Sequence, residues 1–277
     1  MIDVLARPRG PYSLALTARF ASDATRRFRD GRLEARLPER VEAWQLPDGR
    51  VRLRAESEQG IARLRFLLAL DDDHTEFTRR FSSDPLLGAS VRQLRGLRVL
   101  RVPTVAGSLL RAVCGQLIDS RTARQLERRI VRAAMPERDG LHAPPTGEVL
   151  AAFAPAQLRR LGLAERKAAA LVRLCRTLDL ERLREAPTAA AAARIERERG
   201  LGPWSAGVVC LQGLGRHERG LVGDLGLVKL LAALRGRWVE GWETAELLEP
   251  YGEWAGLASV YLLAGFGRGL VPLPLAA

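Results

Sequence analysis

In the stretch Arg194-Ile195-Glu196-Arg197-Glu198-Arg199-Gly200-Leu201-Gly202-Pro203-Trp204-Ser205-Ala206, two glycines flank a single apolar residue and a proline follows at once. This is the composition of a tight hairpin between two helices. Gly200 and Gly202 can adopt positive φ and bring the backbone close to a ligand, Leu201 plugs the space between the helices, and Pro203 suits a first helical turn. The N–H groups that open the second helix then face outward without intrahelical partners, where an anion satisfies them. Taken alone, a Gly-x-Gly is more often an ordinary helix-to-helix turn.

The residues that follow narrow the choice. Leu211-Gln212-Gly213-Leu214-Gly215 leads through a polar loop to Leu221-Val222-Gly223-Asp224-Leu225-Gly226-Leu227. This arrangement resembles the helix-hairpin-helix and Gly/Pro-rich loop followed by an aspartate that mark the DNA glycosylase superfamily. The spacing from Trp204 to Asp224 is similar to that of the bacterial 3-methyladenine DNA glycosylase II family. The likeness extends upstream through Ala112-Val113-Cys114-Gly115-Gln116-Leu117 and Leu161-Gly162-Leu163-Ala164-Glu165-Arg166-Lys167-Ala168. Its motifs are strong from about 104 to 230 and it covers most of the chain.

The resemblance implies a monofunctional N-glycosylase of base excision repair, acting on double-stranded DNA as a monomer. Breaking an N-glycosidic bond builds oxocarbenium-like charge on the deoxyribose, and a nearby carboxylate stabilises it; Asp224 fills that role. An N-cap on the helix after it is the alternative use of the same residue. Superfamily members that also nick the abasic strand carry a lysine near the start of the second hairpin helix, for a Schiff base. Trp204 stands there, so no lyase step is expected. Leu117, with Gln116 beside it, matches the family's wedge, which fills the gap left by a flipped nucleotide; a buried helix-end leucine is the alternative. Trp204, Val208, Leu263 and Tyr261 are assigned to the base pocket, and Gly200, Leu201, Gly202 and Ser205 to the DNA-binding hairpin. N3- or N7-alkylated purines leave as neutral bases without a general acid, which makes them the expected substrates. The alternatives are a glycosylase for deaminated or oxidised purines and a non-catalytic module that binds damaged DNA.

Composition agrees with a polyanionic partner. The formal charge is +12, with Lys167 and Lys229 the only lysines among its basic residues, and the sequence pI is about 11.0. Basic side chains release condensed counterions from nucleic acid, although GC-rich coding alone would also produce such an arginine excess. Cys114, Cys175 and Cys210 are odd in number and set in apolar helical patterns, which excludes a disulfide framework and points to a reducing cytoplasm. No iron-sulfur cluster is expected because no cysteine follows Asp224, and His74, His142 and His217 lack ligand spacing, so no metal is assigned. The one ion the resemblance allows is a monovalent cation on hairpin carbonyls. No segment reads as a signal peptide or a membrane span.

Outside the motifs, the first third alternates in the manner of half-buried strands at Tyr12–Leu16, Leu33–Leu37, Val41–Trp44 and Val51–Arg54, with a hairpin turn at Pro47-Asp48-Gly49. A helix through Ile61 to Leu68 follows, then one holding Phe77 and Phe81. Helices are expected at about 104–116, 120–134, 146–152, 155–160, 164–177, 188–197, 203–213, 225–235, 243–249 and 254–264, with a loop at 138–145 and a loose tail from Leu270. The fold class is therefore α+β: a small N-terminal domain on an antiparallel sheet (1–85) and a helical glycosylase region (86–277). In the latter, a central domain (104–215) carries the hairpin (198–206), and 86–103 with 216–277 form a second helical subdomain around Asp224.

Overall fold

The computed structural model describes residues 1–273. Its N-terminal strands β1 (Ile2–Ala6), β2 (Arg26–Arg29), β3 (Arg32–Leu37), β4 (Glu39–Gln45) and β5 (Val51–Ala55) form an antiparallel sheet in the order β1-β5-β4-β3-β2. Alternation decides its faces: Leu33, Ala35, Leu37, Val41, Ala43, Val51 and Leu53 are buried. They pack with Ile61, Leu64 and Leu67 of α2 (Glu58–Leu67), whose first turn is capped by Ser57 Oγ accepting from Gly60 N. The Pro47-Asp48-Gly49 turn joins β4 to β5, with Leu46 N donating to Arg50 O at 2.8 Å.

Tyr12–Leu16 is not a strand. Ser13 Oγ accepts from Leu16 N at 3.2 Å and starts the short helix α1 (Leu14–Ala18), which buries Leu14, Thr17 and Ala18 at helical spacing. The expected loop at 138–145 contains a two-strand hairpin, β6 (Glu137–Arg138) and β7 (Leu141–His142). Asp139 and Gly140, both at positive φ, make its turn.

The rest is helical: α3 (Thr75–Phe81), α4 (Gly88–Gln93), α5 (Val105–Gly115), α6 (Ser120–Ala134), α7 (Gly147–Ala151), α8 (Pro155–Arg160), α9 (Glu165–Thr177), α10 (Thr188–Glu196), α11 (Pro203–Val208), α12 (Leu225–Arg235), α13 (Thr244–Leu248) and α14 (Ala255–Phe266). The segment expected as one helix over 203–213 is α11 continued by a π-helical turn, Val209–Leu214, stopped by Gly215 in the left-handed region. Phe77 and Phe81 of α3 and Val91 of α4 join the large apolar cluster of the helices and not that of the sheet. Of the tail, Pro274–Ala277 lie outside the described residues.

Buried arginines join the two clusters. Arg98, 1% exposed, donates to the carbonyls of Ala69 (2.6 Å), Pro11 (3.1 Å), Arg9 and Asp72. Arg111 of α5 donates to Glu127 of α6 and to Asp23 in the turn before β2, and Asp23 also accepts from Arg26. A buried charge is tolerable only when paired in this way.

Candidate active site

The hairpin lies between α10 and α11, and its two glycines do different work. Gly200 has φ +93°, a conformation costly for any side chain, whereas Gly202 is extended at φ −112° and ψ −170° and serves as N-cap of α11. Only Gly200 uses the positive φ expected of both. A Cβ added at Gly200 or at Gly202 would meet nothing within 4 Å, so the hairpin presents bare backbone outward. Leu201 is buried and plugs the helix pair. Ser205 is buried too, at 1% exposure, and its hydroxyl faces inward to accept from Gln116 Nε2 at 3.0 Å. It does not belong to the outward surface of the hairpin, to which the sequence assigned it.

Gln116 ties that hairpin to the end of α5. Its Nε2 also donates to Gly200 O at 2.7 Å, while its own carbonyl accepts from Lys167 Nζ at 2.7 Å. Gln116 is therefore a clasp and not part of a protruding wedge. Burial lowers the Lys167 ammonium below its ordinary value. The Gly200 carbonyl is thus engaged within the protein by this clasp. Leu117 follows with φ +57° and 84% exposure, a large apolar side chain held out on a left-handed turn. Asp119 caps α6 by accepting from Arg121 N and Thr122 N. Its hydrogen bonds to Thr122 hold its carboxyl below the usual range.

Asp224 stands at the start of α12, half-buried. One oxygen, Oδ1, accepts from Gly226 N at 2.8 Å, and the other, Oδ2, accepts from Trp204 Nε1 at 3.0 Å. The N-cap and the site residue are thus one side chain: the cap fixes the carboxylate, and the indole aligns it with the hairpin helix. Trp204 is half-buried, with its six-membered ring against Gly115, where a Cβ would lie 2.7 Å from Cη2. Leu263 of α14 lies over Gly226 in the first turn of α12. Carboxylate, indole and Leu263 therefore gather at one place.

Two pocket assignments fail. Val208 is 4% exposed and Tyr261 2%, both within the helical core. The Tyr261 hydroxyl donates to Leu97 O at 3.0 Å and its ring lies 5.1 Å from that of Phe77. Helix α14 is apolar on every face, so periodicity could not show which side meets Asp224. Sequence reading also passed over Trp238 and Trp242, 76% and 67% exposed. Trp242 adjoins Gly241, whose Cβ would lie 3.4 Å from Gly223 Cα, beside the Asp224 loop. Exposed tryptophans are the available signal, and no motif carries them.

No family model matches the chain. It is similar to the DNA-3-methyladenine glycosylase of Bacillus subtilis, 29% identical over 204 residues, or 70% of this chain and 67% of that protein. A 3-methyladenine DNA glycosylase structure from Archaeoglobus fulgidus matches with a TM-score of 0.82 at 20% identity, over 97% of this chain and 99% of that one. The Clostridium acetobutylicum 8-oxoguanine glycosylase/lyase, in complex with double-stranded DNA containing cytosine opposite 8-oxoguanine, matches with a TM-score of 0.79 at 18% identity, over 96% and 98% of the chains. These structural likenesses show the fold. Among the described residues, no helix is long and apolar enough to cross a membrane.

Proposed function

We propose that this chain, similar in sequence to DNA-3-methyladenine glycosylases and sharing the fold of one, is a helix-hairpin-helix DNA glycosylase that excises N3- and N7-alkylated purines from duplex DNA, as a monomer, with Asp224 as its catalytic carboxylate. The observation that carries this reading is the 3.0 Å bond from Trp204 Nε1 to Asp224 Oδ2. It sets a half-exposed anion against an aromatic ring one turn from the bare hairpin backbone. A cationic alkylpurine stacks on such a ring. The C1′–N bond breaks, its electron pair neutralises the departing base, and the charge growing on the sugar meets the carboxylate before water adds. With tryptophan where lyases of the superfamily hold lysine, the product is an intact abasic strand. Trp238 and Trp242 stand ready to contact the flanking strand.

Duplexes carrying single 3-methyladenine, 7-methylguanine, hypoxanthine, uracil or 8-oxoguanine lesions, treated with the protein and then with alkali, test the substrate class. The alkylpurines are expected to yield abasic sites fastest. Release confined to uracil or 8-oxoguanine overturns the assignment.

The grip and the wedge give a separate expectation. An alanine at Gly202 needs no strained φ, and its Cβ enters the open space where a phosphate would sit, so Gly202→Ala is expected to weaken lesion-duplex binding roughly tenfold, about one charge-assisted hydrogen bond, with stability preserved. Leu117→Ala removes only exposed surface, so its melting midpoint stays near wild type while lesion binding falls. Fluorescence anisotropy on a lesion duplex reads both, and undiminished affinity in both variants removes the assignment.

A further inference from the structure

The histidines that chain spacing left scattered are partly brought together by the fold. Asp72 and His74 lie between α2 and α3, and His217 lies in the loop leading to Asp224. Asp72 Oδ2 is 3.7 Å from His74 Nε2 and 3.5 Å from His217 Nε2. One ligand atom from each residue lies within 4.8 Å of the others. A tetrahedral ion with bonds of about 2.0–2.1 Å holds its ligand atoms roughly 3.4 Å apart, so small side-chain rotations would close this triangle on a metal.

A second observation points the same way. His74 is 3% exposed, yet neither of its ring nitrogens has a hydrogen-bond partner, and His217 Nε2 has none either. Each such buried group costs on the order of 1–3 kcal/mol if left unmade. A concavity of about 270 Å³, lined by Gly215, Arg216, His217, Glu218, Glu253 and Trp254, opens beside the cluster and offers an entry path.

We propose that Asp72, His74 and His217 form a binding site for a late first-row divalent cation such as Zn2+, with a further coordination position open to water. Two imidazoles and one carboxylate favour such an ion over Mg2+ or Ca2+, which prefer all-oxygen shells. Arg101 Nη2, 2.5 Å from Asp72 Oδ2, competes for the carboxylate and adds positive charge, so the affinity is micromolar and not that of a closed structural zinc site. The ion takes no part in base excision. It clips the loop of His217, whose carbonyl accepts from Gly256 N of α14 at 2.7 Å, to the segment that leaves the sheet domain.

The full chain, stripped with a chelator, is titrated with Zn2+ by calorimetry and with Co2+ by visible absorption. One ion per chain is expected, with the band intensity of a low-coordinate Co2+ site and a raised melting midpoint. His74→Ala and His217→Ala are expected to lose at least tenfold in affinity, while His142→Ala, on the β6–β7 hairpin, keeps it. If the buried His74→Ala variant fails to fold, His217→Gln decides alone. Zn2+ binding no tighter than millimolar in the wild type, or unchanged in His217→Gln, overturns the site.

Discussion

Asp224→Asn is expected to lose excision of 7-methylguanine by on the order of 10²–10³-fold or more in single-turnover assays, while its affinity for the lesion duplex stays within a few-fold. Asparagine keeps the size and the capping ability of aspartate but not its charge. It cannot reproduce both hydrogen bonds, because one amide oxygen can accept either from Gly226 N or from Trp204 Nε1 and the amide NH2 opposes the donor left over. A stability loss of about 1 kcal/mol is therefore expected alongside the rate loss. Trp204→Phe separates the two effects: the carboxylate remains, only its indole donor goes, and the rate should fall less than in Asp224→Asn. Alkali-revealed abasic sites at the wild-type rate in Asp224→Asn would remove Asp224 from the chemistry.

The largest stability effect is expected at Asp23, far from that chemistry. Its oxygens accept from Thr25 N (2.8 Å), Thr25 Oγ1 (2.7 Å), Arg26 Nε (3.0 Å) and Arg111 Nη2 (2.9 Å), and its side chain is 9% exposed. Asp23→Asn leaves Arg26 buried without its carboxylate and Arg111 with Glu127 alone, at a cost of about 3–5 kcal/mol in urea unfolding at pH 7. Burial by itself would raise the Asp23 carboxyl, but Arg26, Arg111 and the Thr25 donors outweigh it and hold the group well below the usual range. A carboxyl depressed in the folded state contributes stability that is complete above its unfolded value, near 4, and is lost as pH falls below that. The gap between wild type and Asp23→Asn is thus expected to be full at neutral pH and to shrink on acidification below about pH 4. A gap independent of pH, or under about 1 kcal/mol at pH 7, would show that the network does not hold the sheet to the helices.

What the sequence disclosed depended on whether local signals and tertiary packing agreed. Helices α6, α8 and α12 begin and end at the residues expected, because Asp119 caps the first, Pro155 opens the second, and Asp224 and Gly236 bound the third. Strand β2, Arg-Arg-Phe-Arg, was unreadable because the inward position of Arg26 is paid for by ion pairs that no hydropathy pattern contains. The alternation at Tyr12–Leu16 misled because Ser13 caps a five-residue helix too short to display a period. At the candidate site, motifs named Asp224, Trp204, the hairpin glycines and Leu117, which the fold leaves partly or fully open, whereas the inward Ser205 and the core positions of Val208 and Tyr261 depend on how helices rotate against one another. The Asp72–His74–His217 grouping is produced by chain crossings between distant loops, which linear spacing does not encode.

The left-handed turn at Leu117 has one more consequence. On the proposed reading, a leucine that already stands out at positive φ needs no rearrangement of its turn to meet the duplex. Base pairs already weakened by damage open most cheaply, so such a side chain would enter first where the double helix is softest.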